Sequence, residues 1–155
     1  MDKLKISTAN LVILVAGAVM LIASFLAFHK ISVPSVTIGT AHIGGGSKSY
    51  NAWSSGHFFI ATIPAVLGVV MAAHVALETY APQVSLPAHV LGFTWTQVHL
   101  ILAGQATIMM LAFLIQDLSP LDRGIGLYLM LISAIALLVG AAMRVREKPR
   151  TNPFG

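Results

Sequence analysis

The sequence predicts an all-α membrane protein: a four-transmembrane-helix bundle with a small extracellular β-hairpin between helices one and two. Three observations carry that prediction. Only 9 % of the 155 residues are charged and 57 % are apolar, whereas a soluble domain carries about 25 % charged residues. Four apolar runs, at 10–28, 58–77, 98–115 and 125–143, contain no Lys, Arg, Asp or Glu. Each is close to the ~20 residues that a helix needs to cross ~30 Å of hydrocarbon. In water, such a composition would expose apolar patches and aggregate. In lipid, each run must satisfy its own backbone groups, which makes it a helix. The length fits a single domain, 1–155.

The first run follows a short basic start, Met1-Asp2-Lys3-Leu4-Lys5. It is longer than the 7–15 apolar residues of a signal peptide and no small-residue cleavage site follows, so it reads as a retained span. Residues 29–57 are the one long connection. Ile31-Ser32-Val33, Val36-Thr37-Ile38 and Ala41-His42-Ile43 alternate apolar with polar, Gly44-Gly45-Gly46-Ser47 reads as the turn, and Lys48 to Trp53 as the returning strand. Pro34 fits an edge strand or a bend. An isolated hairpin is marginal in water, so this one is expected to lean on the helix ends or on a partner. In the second run, Pro64 is expected to bend the helix.

The connection 78–96 is semi-polar and broken by Pro82, Pro87 and Gly92. Its apolar residues suit the headgroup region, with Tyr80 and Trp95 as interfacial anchors and Trp53 as their counterpart on the opposite side. The turn between the last two spans carries Ser119-Pro120 and Asp122-Arg123-Gly124, and the tail 144–155 is polar and basic. Lys3, Lys5, Arg144, Arg146, Lys148 and Arg150 fall on one side of the membrane; Lys30, Lys48 and Arg123 fall on the other. The richer side belongs inside, so both termini are expected in the cytoplasm, with the chain in the plasma membrane. Arg144, Arg146, Lys148 and Arg150 are the expected contacts to anionic headgroups.

Composition also excludes functions. The absence of cysteine removes disulfides, thiol catalysis and iron–sulfur ligation. The positive charges are not clustered on a folded face, so no nucleic-acid footprint is visible. No paired intramembrane carboxylates, phosphate loop, zincin motif or nucleophile elbow appears.

His74, Glu78 and His99 form the one constellation with chemical reach. Glu78 lies four residues after His74, on the same helical face. His99 lies one turn into the third span, so adjacent second and third spans bring both imidazoles to one depth. Two histidines and a carboxylate can hold a haem or a metal, and His89 is close enough in sequence to join. Packing and hydrogen bonding of the same side chains is the commoner use. His29, His42 and His57 are scattered over the outer loop. Gln105, deep in the third span, is expected to make an interhelical polar contact. Small residues, among them Gly17, Gly68 and Gly140, let helices approach closely.

The short basic start, Ser24-Phe25-Leu26, the loop end Tyr50-Asn51-Ala52-Trp53-Ser54-Ser55-Gly56-His57-Phe58-Phe59, and the entry Val90 to Leu100 give a layout that resembles the small four-span membrane proteins common in actinobacteria. That family has no established catalytic residues to carry over. The resemblance implies a non-catalytic accessory or assembly subunit of a respiratory or lipid-transport complex, with membrane lipids and other membrane subunits as partners and no cofactor. Four spans with a β-structured first loop are also similar in architecture to claudin-type proteins, without their paired cysteines or Gly-Leu-Trp. The alternatives are a haem- or metal-binding membrane protein using the inner histidines, and a lipid- or small-molecule-handling bundle.

Overall fold

A computed structural model describes residues 6–54, 61–116 and 122–147. The basic start, His57 and the tail residues Lys148 and Arg150 lie outside the described residues, and so does the beginning of the second apolar run.

Four helices follow the four apolar runs: α1 (Thr8–Ser24), α2 (Ile63–Tyr80), α3 (Trp95–Ile115) and α4 (Ile125–Arg146). α2, α3 and α4 are long and apolar enough to cross a membrane, and α1 is a shorter apolar helix. The start signals are local. The Ser7 side chain accepts from the Asn10 N–H at 3.2 Å. Thr94 and Gln97 close a capping box at the head of α3, each side chain accepting from the other's backbone N–H. Pro64 stands in the first α-helical turn of α2, just after π-helical residues 61–62; the residue four positions before it, against which its ring would press, lies outside the described residues.

The helices form a ring in sequence order. α1 packs on α2 and α4, α3 packs on α4 and α2, and α2 barely meets α4 across the centre. Met20, Met71, Met110, Leu127, Met130 and Leu137 fill the interior and are fully buried. Small residues set the spacing. A Cβ placed on Gly17 would stand 2.5 Å from the Ala72 Cβ and 2.7 Å from the Gly68 carbonyl oxygen. At the outer end, a Cβ on Gly124 would collide with the Ala27 carbonyl.

The expected hairpin is present, with a different turn. Strand β1 (His29–Ile38) pairs antiparallel with β2 (Ala41–Tyr50) in one register from His29↔Tyr50 to Ile38↔Ala41, with the pairing skipped at Pro34. Gly39 and Thr40 make the turn. Gly39, at φ 65°, takes the position where a tight two-residue turn needs glycine. The Gly44-Gly45-Gly46 run therefore lies inside β2, opposite β1. A two-residue turn matches strand twist and wins over a longer glycine loop.

A third strand comes from the far end of the chain: β5 (Asp122–Arg123) pairs with His29 and Lys30. Only this base is anchored. His29 is buried, its ring 4.9 Å from that of Phe113. Beyond Lys30 the ribbon of β1 is almost wholly exposed, with Val33, Val36 and Ile38 uncovered.

At the other end of the bundle, the connection after α2 folds into a miniature hairpin, β3 (His89–Val90) and β4 (Phe93–Thr94). Its turn places Leu91 at φ 52°, a left-handed conformation that costs a β-carbon residue about 1 kcal/mol, and Leu91 is 93 % exposed. Leu91→Asn is expected to remove most of that strain without losing a packed side chain. Thermal unfolding in detergent should show a midpoint higher by a few degrees.

Candidate functional site

The C-terminal ends of α2 and α4 and the N-terminal end of α3 converge on one polar cluster. Near the C-terminal end of α2, His74 and Glu78 share a face, with His74 Nδ1 3.8 Å from Glu78 Oε2. From the first turn of α3, Trp95 stacks on His74, ring centroids 3.7 Å apart. One turn on, the His99 ring meets His74 edge to face at 4.9 Å. From the last turn of α4, Arg144 reaches across the mouth of the bundle. Its Nη2 donates to Glu78 Oε2 at 2.7 Å, and its Nη1 to His99 Nδ1 at 3.0 Å. His74 and His99 are buried, at 5 % and 1 % exposure, while the Glu78 side chain is 32 % exposed.

The Arg144 contact fixes the chemistry of His99. A guanidinium only donates, so Nδ1 must offer its lone pair and the neutral ring carries its hydrogen on Nε2. That Nε2–H has no hydrogen-bond partner among the described residues, and neither nitrogen of His74 has one. A buried polar atom without a partner costs about 1–3 kcal/mol.

The structure thus brings together His74, Glu78 and His99 as the sequence suggests. His89 stays away, exposed in β3. Among the described residues, no three His, Cys, Asp or Glu side chains are arranged to hold a metal ion. His29 is buried at the opposite end of the bundle from this cluster. Arg144, expected at the lipid headgroups, instead turns into the bundle. Its partner is Glu78 near the end of α2, 2.7 Å from Nη2. Arg146 does point outward and is exposed. Trp95 is more than an interfacial anchor, since its ring covers His74 and its Nε1 donates to the Pro87 carbonyl at 2.7 Å. Tyr80 is exposed at the end of α2.

Gln105 is exposed on the outside of α3, with no side-chain hydrogen bond to another helix among the described residues. The polar link between α3 and α4 falls to Thr107, whose buried hydroxyl donates to Ala103 O at 2.8 Å and also lies 3.1 Å from Ala134 O. A threonine in an apolar helix commonly bonds back along its own helix, which hides its second partner from a sequence reading. At the outer end, Trp53 donates from Nε1 to Ser24 Oγ at 2.8 Å and stacks on Phe25. It pins the return from the hairpin to the end of α1.

Compared with known protein families, with curated proteins and with solved structures, the chain matches none.

Proposed function

We propose that the chain crosses the plasma membrane four times with both ends in the cytoplasm. In this reading it serves as a non-catalytic accessory or assembly subunit of a larger membrane complex, of the respiratory or envelope lipid-transport type. The observation that carries the reading is Gln105. It stands midway along α3 and is exposed on the outside of the bundle. An amide facing hydrocarbon without a partner is costly, and a polar group on a neighbouring helix is the usual relief. The outer hairpin supports the same reading. From Ser32 onward the side chains of β1 are exposed, and an exposed, partly apolar strand is a template for pairing with another chain.

Extraction in mild detergent tests this. The chain should migrate with other membrane polypeptides, and Gln105→Leu should weaken that association about 3- to 30-fold, the effect of ~0.6–2 kcal/mol. A chain that always runs alone at its micelle-corrected mass contradicts the proposal.

The haem or metal alternative meets two obstacles in the geometry. The His74 and His99 rings touch, which leaves no room for a porphyrin between them. His99 Nε2 carries a hydrogen while Arg144 holds Nδ1, so neither nitrogen has a lone pair to give a metal.

A further inference from the structure

We infer that the His74–His99 pair is a binding site for the hydroxyl group of an amphiphile that enters from the lipid between α2 and α3. This inference stands apart from the accessory reading.

The argument starts from hydrogen-bond complementarity. Arg144 leaves His99 with a lone donor, the buried Nε2–H. Glu78 Oε2, 3.8 Å from His74 Nδ1, favours the hydrogen of His74 on that nitrogen and leaves Nε2 as an acceptor. The unpartnered His99 Nε2–H donor and the unpartnered His74 Nε2 acceptor lie on rings whose centroids are 4.9 Å apart, while His74 Nδ1 stays 3.8 Å from Glu78 Oε2, too far for a hydrogen bond. The smallest group that accepts from one and donates to the other is an O–H. A carbonyl would leave His74 unsatisfied, an ammonium would leave His99 unsatisfied, and an anion would face Glu78.

Access has a structural basis. The α2–α3 contact is the thinnest of the four between neighbouring helices. The cover over His74 is the indole of Trp95, held by one side-chain hydrogen bond to Pro87 in a segment that is otherwise exposed or half-buried. Such a segment opens at low cost. In the proposed topology the pair lies about a turn inside the inner leaflet, at the depth of lipid-borne hydroxyls.

The test uses the full wild-type chain in detergent, with 15N-labelled histidine read by NMR and His99 assigned through His99→Gln. Three probes are titrated: 4-nonylphenol, its methyl ether, and dioleoylglycerol. We expect His99 to carry its hydrogen on Nε2. We also expect saturable shifts of both ring systems with a hydroxyl probe, and at least tenfold weaker binding of the ether. Shifts with the phenol alone point to a quinol-type headgroup, shifts with the diacylglycerol alone to a glycerolipid, and shifts with both to a general alcohol site. The inference is overturned if His99 is protonated on Nδ1, if neither alcohol shifts both rings, or if the ether matches the phenol. The ether comparison needs no variant, so it holds even if His99→Gln does not fold.

Discussion

Replacing Gly17 by leucine is expected to force α1 away from α2 and to destabilise the bundle by about 3 kcal/mol or more. Even a single methyl at this position would stand 2.5 Å from the Ala72 Cβ and 2.7 Å from the Gly68 carbonyl oxygen, both on α2. The Gly68 oxygen belongs to the helix backbone and cannot rotate away, so the helices themselves must separate. Overpacking a well-filled interior costs ~1–3 kcal/mol, and a leucine exceeds the space by more than a methylene. Because helices in lipid associate through close packing, the lost approach has no hydrophobic compensation. Gly17→Ala should show a smaller loss in the same direction. Gly104→Ala is the control, since a Cβ there meets nothing within 4 Å, and alanine also favours the helix by up to ~1 kcal/mol. Thermal unfolding in detergent, followed by circular dichroism, should rank the variants in that order. Equal midpoints for Gly17→Leu and the wild type would refute the packing argument.

The second large effect is expected at Arg144. Arg144→Leu removes the cation that pairs with Glu78 and the donor that bonds His99 Nδ1. It strands a carboxylate at the mouth of the bundle and the last partnered imidazole nitrogen of the His74–His99 pair inside it. Breaking a buried pair from one side costs ~3–5 kcal/mol. Glu78 is 32 % exposed, so water screens part of that loss and about 2–3 kcal/mol is the expected size. The double variant Arg144→Leu/Glu78→Leu should recover most of the loss, because removing both charges also removes the desolvation penalty. If the double variant is no more stable than the single one, the Arg144–Glu78 contact does not hold the helix ends together. A cycle across the two residues reads their coupling directly.

The helices were legible because each apolar run is long and free of charge, a pattern that a helix suits whether lipid or other helices cover it. The hairpin was legible from alternation around Val33 and Val36, but its turn was not. Three consecutive glycines at 44–46 look like a flexible turn, whereas the two-residue turn at Gly39 and Thr40 keeps both strands in one register. The third strand at Asp122–Arg123 is too short to carry any periodicity; it exists because the chain returns past His29. At the site, the i,i+4 spacing of His74 and Glu78 announced itself, and His99 followed from span order. Arg144 did not, because a basic residue at the end of a span reads as a lipid anchor. Only the convergence of α2 and α4 at the inner mouth, more than sixty positions apart in the chain, assigns it to Glu78. Gln105 shows the same limit in reverse. A polar residue deep in a span promises a partner, and which face it occupies depends on how the helix is rotated.

The account rests on a bilayer around these helices with the hairpin outside and the end of α4 inside. The chain has no cysteine, so single reporters can be introduced at Thr40, in the hairpin turn, and at Glu147, after α4. A membrane-impermeant thiol reagent applied to intact cells should modify Thr40→Cys, and should reach Glu147→Cys only after permeabilisation. Labelling of Glu147→Cys in intact cells, or recovery of the chain in the detergent-free soluble fraction, would contradict it.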